Sequence, residues 1–202
     1  MKVMCCIASG PSLTREDCEK VREAGIETIA VNNAWKFAPF SKYLFGGDYN
    51  WWKVYKDEIE CKAERWTCSM NAKRKFNINY FKKRGPYNSG MRAIELAMAK
   101  GANSIILLGY DGSLKNGVHF DGKHSGGYLA KNGNYVELRN PNEKSVANWQ
   151  KEFARVAEQA EKNNVQIINC TKETALTQFK TGKLEDTLRW VGSSRRWDAW
   201  TW

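Results

Sequence analysis

Short apolar runs alternate with amphipathic segments along the first part of the chain. Residues 3–8 form an apolar run, residues 14–24 carry apolar positions at helical spacing behind Thr14, and residues 27–31 are rich in β-branched side chains. This strand, helix and strand order, with Gly25 ending the helix, predicts a βαβ unit. Because the two strands of such a unit run parallel, the pattern indicates a parallel sheet.

The same alternation of apolar and amphipathic segments returns further along the chain, except in residues 62–84 and 110–143. The pattern predicts strands at 43–45, 104–109 and 165–168, helices at 51–59, 91–99, 145–162 and 184–190, and a turn with a short helix at 171–180. Residues 62–84 are basic and show poor periodicity, so they are predicted to be an irregular excursion from the sheet. Residues 110–143 hold six glycines and both histidines, which indicates a long functional loop or lid.

Together these elements predict an α/β protein with a Rossmann-like three-layer fold and a mostly parallel sheet. The chain has 202 residues, so we expect one nucleotide-binding domain over 1–190 with the irregular glycine-rich lid inserted at about 110–143. Residues 191–202 form a basic tail rich in tryptophan. We expect that tail to pack on the domain or on a second copy, giving a homo-oligomer, with base stacking on nucleic acid as the alternative.

Charge and cysteine content narrow the class of protein. The chain has 32 Lys+Arg against 22 Asp+Glu, a formal net charge of +10, which either serves solubility or attracts nucleotides or nucleic acid. The six cysteines form no CxxC pair, which favours free thiols.

No apolar run reaches the roughly 20 residues of a membrane span, and residues 1–8 are too short for a secretory signal. We therefore expect a cytoplasmic protein without a membrane span.

Polar, glycine-bearing stretches follow the predicted strands. Ligands of open parallel sheets bind at the carboxyl ends of the strands, where loops and helix starts converge. We therefore predict a nucleotide site formed by Ser9, Gly10, Pro11, Ser12, Asn32, Asn33, Asp48, Ser89 and Gly90. The turn at residues 9–13 matches neither GxGxxG nor the P-loop pattern, and an ordinary strand-to-helix turn is the alternative.

Four further side chains are candidates for chemistry. Asp48 and Asp111 each follow a strand and a glycine, so they could hold Mg²⁺ or act as bases, or simply cap their own turns. His119 and His124 are the only histidines, and both lie in the glycine-rich loop. They are candidates for a general acid or base, or for a metal site with Asp121, and the alternative is an ordinary pair of surface loop residues.

Three stretches carry a resemblance to known families: IASGPSL, VNNAWKF and NSGMRAIELAMAKGANSIILLGYDG. In order and spacing they resemble the bacterial sialyltransferases of the Campylobacter type, the motility-accessory glycosyltransferases and the 6-hydroxymethylpterin diphosphokinase-like proteins. Small phage-encoded proteins of unassigned role are the most similar. The resemblance covers residues 3–112 well and residues 145–170 loosely.

The resemblance implies a Rossmann-like domain that holds a cytidine nucleotide. By position, that role falls on Ser9, Gly10, Pro11, Ser12, Asn32, Ser89 and Gly90. Ser9 stands where the sialyltransferases have asparagine, and Ser113 and His119 stand near two expected tyrosines. The stretch before the last long helix lacks the expected catalytic histidine, unless His124 reaches in from the loop.

The resulting hypothesis is a nucleotide-dependent transferase, most similar to a glycosyltransferase. It would use a nucleotide-activated sugar of the CMP type as substrate, with a glycan or phage DNA as acceptor and with no required cofactor. The catalytic candidates are His119, His124 and Asp111, with no metal. One alternative is a Mg²⁺-dependent diphosphokinase, in which Asp48 and Asp111 hold the metal. The other is a non-enzymatic phage protein of the host cytoplasm that binds nucleotide or nucleic acid.

Overall fold

Parallel strands form the main sheet of the computed structural model, which describes residues 1–83 and 88–192. The described strands are β1 (Val3–Ile7), β2 (Glu27–Val31), β3 (Tyr43–Phe45), β4 (Glu64–Thr67), β5 (Asn79–Tyr80), β6 (Ser104–Leu108), β7 (Gly127–Leu129), β8 (Tyr135–Glu137), β9 (Gln166–Asn169) and β10 (Lys180–Thr181). Eight of them form a sheet of order β10-β9-β6-β1-β2-β3-β4-β5, in which each pairing is parallel. Their carboxyl ends therefore share one edge.

Helices cover both faces of this sheet. The described helices are α1 (Arg15–Glu23), α2 (Tyr49–Tyr55), α3 (Met70–Phe76), α4 (Ser89–Ala99), α5 (Glu143–Lys162) and α6 (Leu184–Gly192), with a 3-10 helix at Asn32–Lys36. The side chains of β1 alternate between the two faces. Cys5 and Ile7 pack in the cluster that includes α1, α2, α3 and α6, whereas Met4 and Cys6 pack with α4 and α5. The predicted Rossmann-like three-layer α/β fold is confirmed.

Two local predictions are wrong. Residues 64–67 and 79–80 extend the sheet as β4 and β5 instead of leaving it, with α3 between them. These strands were missed because they lie at one end of the sheet, where β5 is the edge strand and β4, between β3 and β5, is only partly buried and lacks an apolar run. Residues 171–179 form bends and irregular backbone rather than a helix, because the hydroxyl of Thr174 bonds the carbonyl of Tyr110 and the amide of Leu176.

The lid region is more regular than its sequence indicates. Within residues 110–143, β7 and β8 pair as a small antiparallel hairpin.

All six cysteines are buried free thiols, as predicted. No helix in the described part of the chain has the length and apolar character needed to cross a bilayer. The predictions for the tail concern residues 191–202, of which 193–202 lie outside the described residues.

Candidate functional site

A cavity of about 310 Å³ lies at the carboxyl ends of the central strands, between the start of α4 and the lid. Ten of the predicted site residues line it: Ser9, Gly10, Pro11, Asn32, Asp48, Ser89, Gly90, Asp111, His119 and His124. The structure therefore brings together side chains from six separate stretches of the chain. Ser12 and Asn33, which were also predicted, do not line this cavity.

The turn after β1 packs directly against the turn after β6. The amide of Gly10 donates a hydrogen bond to the carbonyl of Gly109 at 2.9 Å. A Cβ atom on Gly10 would lie 2.1 Å from Oδ2 of Asp111 and 2.5 Å from the carbonyl oxygen of Gly109. Only glycine permits this approach of the two turns, so Gly10 is required for their packing in addition to its proposed role at the ligand site.

Asp111 holds the same turn from the other side. Its Oδ1 accepts a hydrogen bond from the backbone amide of Ser12, and its Oδ2 accepts one from the hydroxyl of Ser12, both at 2.9 Å. Burial raises the pKa of Asp111, and the two bonds from Ser12 act in the opposite direction. Ser12 is therefore directed at Asp111, and the carboxylate that was predicted to be catalytic fixes the shape of the turn.

The two asparagines after β2 have different surroundings. Asn32 adopts a positive φ of 49° and lines the cavity, and its Oδ1 is buried with no hydrogen-bond partner in the described part of the chain. Asn33 accepts a hydrogen bond from Nε1 of Trp51 and donates one to Oδ2 of Asp121, each at 2.9 Å. Asn33 therefore connects the 3-10 helix to α2 and to the lid, and only Asn32 reaches the cavity.

The start of α4 forms another part of the cavity wall. The side chain of Asn88 caps the helix, and the hydroxyl of Ser89 accepts a hydrogen bond from the amide of Gly47 at 3.0 Å. The hydroxyl of Tyr110 donates to the carbonyl of Gly90 at 3.0 Å. These bonds fix a helix N-terminus at the cavity, where unpaired amides and the positive end of the helix dipole favour an anion.

The lid places both histidines in the wall of the cavity. Oγ of Ser9 lies 3.0 Å from Nδ1 of His119, and the rings of His119 and His124 lie with centroids 4.3 Å apart at 36°. The amide of His124 donates to Oδ1 of Asn140 at 2.7 Å, and Nδ2 of Asn140 donates back to the carbonyl of His124 at 3.0 Å. His124 is therefore tied to the segment that immediately precedes α5.

Both imidazoles are held in the neutral form at pH 7. Burial lowers the pKa of His119, and burial together with the neighbouring His119 lowers the pKa of His124 to about 4. Among the described residues, Nε2 of His119 and Nδ1 of His124 are buried without hydrogen-bond partners, whereas Nε2 of His124 is not fully buried. The two rings therefore differ: of the four ring nitrogens, Nε2 of His124 is the one that is neither hydrogen-bonded to a described residue nor fully buried.

Asp121 does not join the histidines as a third metal ligand. Burial by itself would raise the pKa of its carboxyl, but hydrogen bonds from Lys36 at 2.8 Å and from Asn33 outweigh that effect and lower it. Both hydrogen bonds are accepted by Oδ2, which ties Asp121 to the 3-10 helix. In the residues that the structure describes, no three His, Cys, Asp or Glu side chains group in a way that could hold a metal ion.

Comparisons with protein-family models, curated proteins and solved structures find no match to this chain. The family resemblance of the GPSL turn therefore stays a prediction. Function has to be inferred from the cavity itself: its helix start, its lid histidines and its charged groups.

Several cavity residues were not predicted from the sequence: Asn50, Trp51, Arg139, Trp149 and Phe153. Arg139 is exposed, and its guanidinium has no hydrogen bond or ion pair within residues 1–83 and 88–192. Asp48 borders the same cavity, where surrounding protein raises its pKa and the charge of Arg139 partly offsets that rise. The apolar spacing of α5 indicated Trp149 as a packing residue, but no sequence pattern marked Arg139.

Proposed function

We propose that this protein is a nucleotide-dependent transferase that moves a glycosyl group from a nucleotide-activated sugar to a hydroxyl acceptor. The observation that carries the proposal is His124, a neutral imidazole that borders the cavity and whose Nε2 is neither hydrogen-bonded to a described residue nor fully buried. It stands with a helix start and the exposed Arg139 around one cavity of about 310 Å³, a size in the range of small-ligand sites.

The donor phosphate would bind between the turn after β1 and the start of α4. The first amides of α4 and its dipole favour a negative charge at Ser89 and Gly90. Gly10 fixes this turn at the cavity wall, because its missing Cβ lets the turn pack against Asp111 and Gly109. Arg139 adds an exposed cation on the lid side, so an anionic donor would be held from both sides of the cavity.

The chemistry that this arrangement supports is a direct displacement. Nε2 of His124 accepts the proton of the acceptor hydroxyl while that oxygen forms a bond to the anomeric carbon of the donor. The bond between this carbon and the phosphate oxygen breaks, and its electron pair leaves with the nucleotide. Arg139 and the start of α4 stabilise the charge on the leaving phosphate. His119 acts as a positioning residue, because its ring packs on His124 and bonds Ser9.

The low pKa of His124 is compatible with this role. With a pKa of about 4, the empty site keeps the imidazole unprotonated, as a base must be, although a base that weak removes protons inefficiently. A bound anionic phosphate nearby stabilises the imidazolium and raises the pKa towards the working pH. Donor binding would therefore activate the base.

The Mg²⁺-dependent phosphoryl transfer considered above has less support from the contacts. It assigns Asp111 to a metal, but both oxygens of that carboxylate accept hydrogen bonds from Ser12. A protein that binds a nucleotide without catalysing its transfer would use the same cavity. Experiment must therefore distinguish nucleotide binding alone from the transferase activity.

The binding test is a thermal-shift panel with CMP, a CMP-sugar, a UDP-sugar and ATP, each with Mg²⁺ or EDTA. A ligand at 100 times its Kd stabilises a protein by about 2.7 kcal/mol, which raises the Tm of a chain of this size by roughly 5 to 10 °C. A shift with a nucleotide or nucleotide-sugar in EDTA supports the proposal. A shift with ATP that requires Mg²⁺ supports the phosphoryl transferase, and no shift with any nucleotide contradicts both.

The catalytic test measures nucleotide release from the donor that shifts the Tm. His124→Gln should keep donor binding and lower kcat by about 100-fold or more, the usual contribution of a general base. His119→Gln is the matched control, since it removes the packing partner but not the open nitrogen, and we expect a smaller loss. Equal turnover of His124→Gln and the wild type would exclude His124 as the base.

A further inference from the structure

Positive charge is concentrated on one part of the surface outside the cavity. Residues 49–83 carry nine Lys+Arg against four Asp+Glu, half of the formal net charge of +10. Within α3, Lys73, Arg74 and Lys75 are consecutive and exposed, and the described residues offer them no ion pair. Lys73 also lies 5.5 Å from the ring of Tyr80, but no carboxylate of the described residues neutralises these three charges, and they lie beyond the site described above.

An aromatic–lysine strip runs from α3 to the lid, formed by Tyr49, Lys53, Lys56, Phe76 and Tyr128. Tyr49 stacks on Phe76 with ring centroids 5.5 Å apart at 22°, and it meets Tyr128 at 6.5 Å. Nζ of Lys53 lies 5.9 Å from the ring of Tyr128, and Nζ of Lys56 lies 6.0 Å from the ring of Phe76. Partly exposed rings and ammonium groups therefore alternate along one path.

The strip leads to the mouth of the cavity. The hydroxyl of Tyr128 donates a hydrogen bond to Oδ1 of Asn50 at 2.9 Å, and Asn50 lines the cavity. Tyr49 lies between Asn50 and Asp48 in the chain, and Asp48 is also part of the cavity wall. A chain-like ligand on the strip would therefore have one unit at the cavity entrance.

We propose that the aromatic–lysine strip and Lys73 to Lys75 bind a single-stranded nucleic acid. Phosphates would pair with the lysines and Arg74, and unpaired bases would stack on the rings of the strip. Stacking requires bases that are free of a duplex, which is why a single strand fits this surface better than double-stranded DNA. The interaction is independent of the transferase proposal, because it uses charge and rings outside the cavity.

The charge part is tested by fluorescence anisotropy with a labelled oligothymidine of about 12 nucleotides, titrated at several salt concentrations. Each neutralised phosphate of a single strand adds about 0.7 to the salt slope. The variant Lys73→Gln/Arg74→Gln/Lys75→Gln should therefore lower the slope by about 2 and weaken binding at least tenfold at low salt. Glutamine keeps a high helix propensity, so α3 should persist, which circular dichroism checks.

The matched control removes the same charge from α5. Lys144, Lys151 and Lys162 are exposed on that helix, which packs against α4 and β9 rather than α3. The variant Lys144→Gln/Lys151→Gln/Lys162→Gln should bind the oligonucleotide almost as well as the wild type. Equal losses in the two triple variants would overturn the proposal, because the attraction would then depend on net charge alone.

The stacking part is tested with an abasic oligomer of the same length and charge. We expect it to bind about tenfold more weakly, since each base stacked on an aromatic ring contributes about 1–3 kcal/mol. Tyr128→Leu should weaken binding of oligothymidine but not of the abasic oligomer. Tyr135→Leu is the control, because Tyr135 pairs with Leu129 and so faces the other side of the hairpin. Equal binding of the two oligomers would overturn the proposal and indicate a general polyanion surface.

Discussion

Oγ of Ser9 lies 3.0 Å from Nδ1 of His119, although 110 positions separate the two residues in the chain. Beside this contact, the amide of Phe120 donates a hydrogen bond to the carbonyl of Ser9 at 3.0 Å. The lid is thus attached to the same turn that is predicted to bind the nucleotide. Any change at Ser9 should therefore affect the lid as well as the ligand site.

Ser9→Ala should destabilise the protein by about 1–3 kcal/mol, because it leaves both ring nitrogens of His119 without partners. Urea unfolding measures the loss, and amide hydrogen exchange over residues 118–124 should become faster. Ser113→Ala is the control, since Ser113 lines the cavity and its hydroxyl has no bond to another described residue. Equal stability of the two variants would contradict a structural role for the Ser9 contact.

Stability should fall as the pH drops through the range of the histidines. An unfolded histidine has a pKa of about 6.5, whereas folding lowers that of His124 to about 4. Between these values the unfolded chain binds more protons, so stability is complete above about pH 6.5 and is lost towards pH 4. The loss should be about 2 kcal/mol by about pH 5 and on the order of 3 kcal/mol by about pH 4.

Urea midpoints measured from about pH 5 to about pH 7.5 check this dependence. His124→Gln should reduce the pH dependence, and the variant that also carries His119→Gln should reduce it further, since burial lowers the pKa of both rings. A wild-type protein that is equally stable at both ends of the range would show that these histidines are hydrated in solution.

Gly10→Ala should lose about 1–3 kcal/mol, the usual cost of overpacking. Asp111 can rotate away from the new methyl group, but the carbonyl of Gly109, 2.5 Å away, can move only with its turn. Gly192→Ala is the matched control, because a Cβ there has no neighbour within 4 Å among the described residues and the backbone is not left-handed. Thermal unfolding compares the two, and a Gly10→Ala protein as stable as the control would contradict the close packing of the two turns.

Arg139→Gln should weaken binding of CMP about tenfold or more, the value of one charge-assisted hydrogen bond to phosphate. Calorimetric titration of the purified variant measures this. Arg155→Gln removes an exposed arginine from α5 and should leave the affinity unchanged. This prediction depends on the transferase proposal, and equal affinities would remove Arg139 from the donor site without affecting the role of His124.

Strands and helices in the interior of the fold could be predicted because burial requires apolar residues at regular positions in their sequence. The buried strand β6 and the Thr14-capped helix α1 are recognisable from apolar runs, spacing and cap chemistry alone. Strand β4, which lies next to the edge strand β5, could not be predicted, since a half-buried strand needs no continuous apolar run. The lid hairpin could not be predicted for a similar reason: its strands are three residues long and largely exposed.

The sequence by itself determined the α/β class and the edge of the sheet at which a site should form, because parallel strands place their carboxyl ends together. Only the tertiary structure decided which side chains face the cavity. Ser12 and Asn33 have the same residue types as their neighbours Ser9 and Asn32, yet Asp111 and Trp51 engage them instead. The approach of His124 to Asn140 likewise depends on the path of the lid, since side-chain direction and long-range contacts are set by packing rather than by local pattern.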